Sequence, residues 1–193
     1  MFGLFKRVNN TVKNPKILLA SIRAGHEQLF TQDCDIYQGQ FNGIFNDTTE
    51  YRAANISEFF EFINGKTFDI VHLFADIETN GTIQDVSGTE FLKKLSASEV
   101  KVLIFASDNP GDNYVAFSKD IGKNIKPMNL VMTIERKGDL FPSFFKSLFG
   151  FMAFGHTMPM AWVELAPQNV NKTGSDTPGA IFSAGLGSLK FSS

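Results

Sequence analysis

The chain has 193 residues, of which 43% are hydrophobic and 20% are charged, and its formal net charge is −2. This length suits a single domain with a substantial core. No basic run is longer than two residues, which argues against a nucleic-acid-binding surface, and the single cysteine, Cys34, excludes a disulfide framework. Its apolar runs are too short to span a membrane, and we expect a cytoplasmic protein.

The first half of the chain predicts two buried strands and one helix. Residues 16–21 and 68–75 are short apolar runs of the kind that forms buried strands. Asn55 and Glu58 have the spacing of a capping box, which predicts the start of a helix. Residues 25–50 mix glycine and asparagine with isolated apolar residues, so we expect a long connection with one or two irregular strands.

The second half continues this alternation of strands and helices. Residues 87–90 form a second capping box, which predicts another helix. The apolar runs 100–106 and 129–134 predict two further strands. The Phe-rich stretch 140–162 has an amphipathic helical pattern, and we expect two helices that separate near Gly155.

Apolar strands that alternate with helices are typical of a parallel sheet covered on both faces. We therefore predict an α/β domain over residues 1–167, a three-layer αβα sandwich with a mostly parallel central sheet. Residues 168–193 are rich in glycine and serine and predict a loose C-terminal extension that docks through its last dozen residues. The N-terminal stretch Met1–Val8 predicts a first turn on the domain or a frayed end, with a membrane-surface anchor as the alternative.

Polar side chains follow two of the predicted strands. Asp76 comes after the second strand, and Ser107, Asp108 and Asp112 come after the third. Because functional groups collect at the carboxyl ends of parallel strands, we expect these residues to face one crevice. The three carboxylates are candidate ligands for Mg²⁺ or Ca²⁺. Their spacing matches no calcium loop, so solvated carboxylates near helix starts are the alternative, and we predict no cofactor.

A succession of short patterns runs through the chain: residues 71–76, Asn80-Gly81, and residues 89–95, 105–108, 132–136 and 141–148. Together they resemble the CHAT group of caspase-like proteins, and the likeness spans residues 14–168. Active members of that group have a His-Gly after one strand and a Cys after the next, where the His is the base and the Cys thiolate attacks the peptide. The resemblance puts these positions at Asp76 and Ser107, which are the wrong residues for that chemistry.

Two other residues come into the comparison with that group. His72 lies four residues before Asp76, inside a predicted strand, so we expect its side chain on a face of the sheet. The resemblance puts Arg136 near the polar residues around the specificity pocket of the group. There it can pair with the acidic cluster, hold a carboxylate of a partner, or form a surface salt bridge.

The resemblance implies a non-catalytic caspase-like module that acts in bacterial signalling or defence by contact with a protein or peptide. The expected cleft consists of Asp76, Ser107, Asp108 and Arg136, and the Phe-rich C-terminal helices offer a face for a homodimer. One alternative is a serine hydrolase that uses Ser107, with Asp76, His26 or His156 as base, although a Ser–Asp pair alone is an unusual hydrolytic arrangement. Another is a metal- or nucleotide-binding domain that uses the acidic strand ends.

Overall fold

The computed structural model describes residues 10–22, 25–37, 45, 47–119, 121, 125–136, 140–166 and 179–192. Strands and helices alternate along these residues. The strands are β1 (Thr11–Lys13), β2 (Lys16–Ile22), β3 (Asp47–Ala53), β4 (Ile70–Phe74), β5 (Thr82–Ile83), β6 (Val86–Ser87), β7 (Val102–Phe105), β8 (Asn129–Glu135), β9 (Gly179–Ala184) and β10 (Lys190–Ser192). The helices are α1 (Glu27–Cys34), α2 (Ile56–Ile63), α3 (Gly88–Ala97), α4 (Gly111–Ser118), α5 (Leu140–Ala153) and α6 (Met158–Leu165).

The centre of the fold is a six-stranded sheet with the spatial order β3-β2-β4-β7-β8-β9. Strands β3, β2, β4, β7 and β8 run parallel, and β9 is antiparallel to β8. The chain moves from β2 to β3 on one side and then to β4 on the other, so the strand order reverses between β2 and β4. Such a reversal opens a crevice at the carboxyl ends of these two strands.

Helices cover both faces of the sheet, because side chains of successive strand residues point to opposite faces. Leu18 and Ala20 of β2 belong to an apolar core that includes residues of α2, α3 and α4. Ile17 and Leu19 of the same strand belong to a second core with residues of α1, α5 and α6. The predicted three-layer αβα sandwich with a mostly parallel sheet is therefore confirmed.

The C-terminal pair of helices forms where the Phe-rich stretch predicted it. Helices α5 and α6 separate at Gly155, whose φ of 93° is a conformation that suits glycine. The Phe side chains of α5 were expected to offer a face for a homodimer. Four of them, Phe141, Phe144, Phe145 and Phe149, belong to the second core and are at most 5% exposed, whereas Phe154 just after α5 is 80% exposed, so the homodimer stays a prediction.

Two helix starts form as their capping boxes predicted. The side chain of Asn55 accepts a hydrogen bond from the Glu58 amide at 3.0 Å, and that of Ser87 accepts one from the Glu90 amide at 3.3 Å. Glu58 reaches back one residue further than the capping box requires, because its carboxylate accepts from the Ala54 amide at 2.8 Å. These backbone donors would otherwise lack a partner at the helix start.

Helix α1 lies where an irregular connection was predicted. Its buried side chains are Phe30 and Asp33, one apolar and one charged, so the sequence shows no apolar stripe that would indicate a helix. The side chain of its N-cap residue, His26, makes no capping hydrogen bond. The local signals that identify α2 and α3 are thus missing from α1.

The C-terminal segment contributes to the fold more than a loose extension would. Strand β9 is the sixth strand of the central sheet, and β10 pairs with β1 in a separate two-stranded sheet. Leu189 and Phe191 are at most 1% exposed, in agreement with the expected docking of the last dozen residues. The loose extension was predicted from the glycine and serine content of this segment, and that composition gives no indication of these short strands.

Two further predictions concern the N-terminal stretch and the question of a membrane span. The stretch Met1–Val8 lies outside the described residues. Among the residues that are described, no helix combines the length and the apolar character needed to cross a bilayer.

Candidate functional site

The candidate site lies at the carboxyl ends of β4 and β7. These strands are parallel neighbours, and the Ala106 amide donates to the Leu73 carbonyl at 2.8 Å, which extends their pairing by one residue. Asp76 follows β4 by two residues, and Ser107 follows β7 by two residues. The two positions that the resemblance singled out therefore leave adjacent strands at the same edge of the sheet.

Asp76 is an exposed carboxylate beside a histidine. Its side chain is 60% exposed, and its Oδ1 lies 3.3 Å from Nε2 of His26, without the alignment of a hydrogen bond. His26 precedes α1, and its ring stacks on Phe74 with centroids 5.7 Å apart. His26, one of the bases considered for the hydrolase alternative, thus contacts Asp76.

Ser107 is buried, with 1% of its surface exposed. Its Oγ has no hydrogen-bond partner, so neither Asp76 nor a histidine is placed to take its proton. Its carbonyl accepts a hydrogen bond from the Tyr114 hydroxyl at 3.3 Å, and burial raises the pKa of Tyr114. A serine nucleophile needs both a base and access to substrate, and this serine has neither.

Two asparagines join the loops that follow β4 and β7. The Asn109 side chain accepts from the Ile77 amide at 2.8 Å and donates to the Ala75 carbonyl at 3.1 Å. The Asn113 side chain donates to the Ile77 carbonyl at 2.6 Å. The sequence had indicated a polar loop here without a role for either residue. Both amides satisfy backbone groups, which is the usual function of a buried asparagine side chain.

The acidic residues at this edge do not assemble into a metal site. Asp76, Asp108 and Asp112 were the candidate ligands, and all three are exposed. Within the described ranges there is no group of three or more His, Cys, Asp or Glu side chains that could hold a metal ion. Asp112 lies in the first turn of α4, where a negative charge stabilises the helix.

A second set of polar residues lies under α1, and we call it the Asp33 network: Asp33, Tyr37, His72 and Arg136. His72 of β4 is fully buried on a face of the sheet, as the sequence predicted, and this face carries the second core. Its Nε2 lies 2.7 Å from Oδ2 of Asp33, and its Nδ1 lies 2.9 Å from the Tyr37 hydroxyl. Because an ionised carboxylate can only accept, Nε2 donates to Asp33 and leaves Nδ1 free to accept from Tyr37.

Arg136 completes the Asp33 network from the end of β8. Its Nη1 donates to Oδ2 of Asp33 at 2.9 Å and to the Ala106 carbonyl at 3.1 Å, and its Nη2 donates to Oδ1 of Asp33. Its guanidinium lies over the Phe141 ring, 4.2 Å from the centroid. The side chain is 2% exposed. None of the three roles considered for Arg136 matches this arrangement, because the carboxylate that Arg136 binds belongs to the buried Asp33.

The electrostatics of the Asp33 network favour an ionised aspartate. Burial opposes the charge of Asp33, but the hydrogen bond from His72 and the hydrogen bonds and positive charge of Arg136 outweigh it and lower the pKa of Asp33. Burial and the nearby Asp33 charge raise the pKa of Tyr37 well above its ordinary value, so Tyr37 keeps its proton. The network is therefore a buried, charged and internally paired assembly that joins α1 to β4 and β8.

Sequence reasoning missed Asp33 and Tyr37, because both lie in the segment that was expected to be irregular. The remaining candidates have structural explanations. His156 is bound to the Phe151 carbonyl at 3.2 Å, in the turn between α5 and α6. Burial, and then the nearby carboxylate of Glu50, raise the pKa of the Cys34 thiol to about 12, so this thiol is not poised to form the nucleophilic thiolate.

Comparison with known proteins adds no relative. No protein-family model matches the chain, and no curated protein resembles it closely enough to count as related. The caspase-like resemblance therefore depends on the residue patterns, and any function drawn from it is a proposal.

Proposed function

We propose that this chain is a non-catalytic caspase-like module that acts by contact with a protein partner. The observation that carries the proposal is the state of Ser107, which is 1% exposed and has an unpartnered hydroxyl. In an active member of the group, the residue at this position attacks the substrate, so the substrate must be able to reach its side chain. A buried side chain at that position therefore supports the proposal that the protein keeps the fold of the group but does not carry out its reaction.

The sheet supports the same proposal. An open parallel sheet with a reversal of strand order at its centre is compatible with a caspase-like architecture, and Asp76 and Ser107 follow adjacent strands as the resemblance requires. The polar side chains between them are committed to backbone groups, since Asn109 and Asn113 bind Ala75 and Ile77. Hydrogen bonds to the backbone therefore hold these polar side chains of the crevice in place.

The serine hydrolase alternative finds less support. Asp76 lies beside His26, but the hydroxyl of Ser107 bonds to neither, and His156 is committed to Phe151. A triad requires nucleophile and base within hydrogen-bond reach. The metal-binding alternative is weakened in the same way, because the three carboxylates form no ligand group within the ranges described.

A chemical experiment tests the absence of catalysis. The purified chain is treated with a serine-directed fluorophosphonate probe, and separately with a broad peptide library. We expect no labelling of Ser107, and no cleavage that differs between the wild type and Ser107→Ala. Labelling at Ser107, or cleavage that disappears in Ser107→Ala, would overturn the proposal.

A second experiment tests the contact. Of the four expected cleft residues, Asp76 and Asp108 are exposed, whereas Ser107 and the Arg136 guanidinium are buried. The double variant Asp76→Arg, Asp108→Arg reverses the charge of the accessible part. Cross-linking in the cells that make the protein should lose its partner band in this variant and keep it in the control Asp47→Arg on β3. Equal bands in all three would remove the cleft as the contact surface.

A further inference from the structure

Strand β9 is the outer strand at one end of the central sheet. Among the described residues its strand neighbour is β8, with Ile181 opposite Met132. Its sequence, GAIFSA, contains no charged residue and no proline. Proteins commonly protect an outer strand with charges, prolines or bulges, because its free backbone groups can pair with another chain.

The opposite end of the sheet shows such protection. Strand β3 has the sequence DTTEYRA, and its Asp47, Glu50 and Arg52 are exposed. Charges along an outer strand oppose pairing with a second strand of the same kind. The two ends of one sheet are therefore built differently, and β9 lacks the side chains that protect β3.

Apolar side chains surround β9 on the side of α4. Ile181 is 40% exposed, Ile134 of β8 is 41% exposed, and Val115 of α4 is 67% exposed. A groove of about 300 Å³ runs between α4 and β9. It is lined by Tyr114, Val115, Ser118, Lys119, Met132 and Ile181. Large aliphatic side chains gathered at an exposed edge are typical of an interaction surface.

The other face of β9 is covered by this chain itself. Phe182 stacks on Trp162 of α6 with ring centroids 4.7 Å apart, and β9 pairs with β8 from Gly179 to Ala184, with a bulge in β8 between Thr133 and Glu135. The strand is thus held in place before any partner binds. A preformed edge loses little conformational entropy when it pairs.

We propose that β9 pairs antiparallel with β9 of a second copy of this chain, so that the two sheets become continuous. A two-fold axis perpendicular to the sheet keeps corresponding faces on the same side, so residue 181 can lie opposite residue 181 of the second copy. That arrangement makes an Ile–Ile pair next to the two Val115 side chains. Because β9 itself is uncharged, self-pairing sets no like charges opposite each other along the two strands, which is why we assign a second copy as the occupant.

The size of this surface limits the strength of the dimer. A six-residue strand with a few flanking side chains lies at the low end of specific interfaces. We therefore expect a concentration-dependent dimer with a dissociation constant of roughly 10–100 µM. The proposal does not depend on whether Ser107 is catalytic.

Sedimentation velocity over protein concentrations from micromolar to several hundred micromolar tests the proposal. The wild type should shift from monomer to dimer, and Ile181→Lys should weaken the association at least tenfold, since it sets two lysines opposite each other. Circular dichroism verifies that the variant is folded. The matched control is Thr48→Lys, which adds the same charge at an exposed position of β3 and should leave the association unchanged.

A charge swap makes the test specific for self-pairing. Ile181→Lys and Ile181→Glu should each remain monomeric, and an equimolar mixture of the two should form a heterodimer. A wild type that stays monomeric throughout the range would overturn the proposal. So would a dimer that Ile181→Lys leaves intact, or a mixture of the two variants that does not associate.

Discussion

The Asp33 network and the pair Asp76 and Ser107 both lie near the carboxyl ends of the strands, but they are built in opposite ways. In the network, each side chain is at most 2% exposed, and aspartate, histidine, tyrosine and arginine bind one another. At the other two positions, Asp76 is 60% exposed and Ser107 is buried without a partner for its hydroxyl. The ionisable groups of the network are therefore buried and paired with one another, whereas Asp76 and Ser107 make no hydrogen bond to each other.

The largest difference should appear when the carboxylate of the network is removed. Asp33→Ala leaves the guanidinium of Arg136 buried without its counter-charge, and we expect a loss of about 3–5 kcal/mol in the free energy of unfolding. Urea unfolding at neutral pH measures it. The control Asp76→Ala removes an exposed carboxylate and should change stability by less than about 0.5 kcal/mol. Equal losses in the two variants would contradict the comparison.

Lowering the pH should reveal the contribution of the Asp33 carboxylate to the free energy of unfolding. The pKa of Asp33 is lowered in the folded chain. Its ionised form therefore contributes stability that is present above the ordinary aspartate pKa of about 4 and is lost as the pH falls through the lower folded value. Urea unfolding at a series of acidic pH values should show a steeper fall in the wild type than in Asp33→Asn. Parallel curves would show that Asp33 is not coupled to folding in this way.

A smaller effect is expected from the hydroxyl of Tyr37. Tyr37→Phe leaves Nδ1 of the buried His72 without a partner, at an expected cost of about 1–2 kcal/mol. Tyr51→Phe is the matched control, because it removes a hydroxyl that donates to Glu58 at a half-buried site. Urea midpoints of both variants give the comparison. A loss in Tyr37→Phe no greater than in Tyr51→Phe would argue against a fully desolvated network.

The smallest effect should come from Ser107. Since its hydroxyl has no partner, Ser107→Ala should leave the free energy of unfolding within about 0.5 kcal/mol of the wild type, or raise it slightly. Asn109→Ala is the contrast two residues away, because it frees buried backbone groups and should cost about 1–3 kcal/mol. A marked loss in Ser107→Ala, measured by the same urea titration, would reveal an interaction of this serine that the fold does not show.

Local patterns were enough to predict most of the architecture. The buried strands β2, β4, β7 and β8 each follow from a short apolar run, and the starts of α2 and α3 follow from capping residues within four positions of each other. The parallel sheet follows from their alternation. These elements were predictable because the forces that define them act between residues that are close in sequence.

The Asp33 network was not predictable, because its partners are distant in sequence. Asp33 lies 39 residues from His72 and 103 residues from Arg136. From the sequence alone, an aspartate in a helix without an apolar stripe is expected to be solvated, and no residue close to it in sequence indicates that it will be buried. Strand β9 was missed for a different reason, since its glycine, alanine and serine content is also typical of a linker.

The bond between Asp33 and Arg136 also sets an order for events during protein synthesis. Arg136 is added 103 residues after Asp33. At about 5–20 residues per second, a nascent chain waits roughly 5–20 seconds between the two. Until then α1 lacks the cation that offsets its buried charge, so α1 should settle onto the sheet only once β8 and Arg136 have left the ribosome.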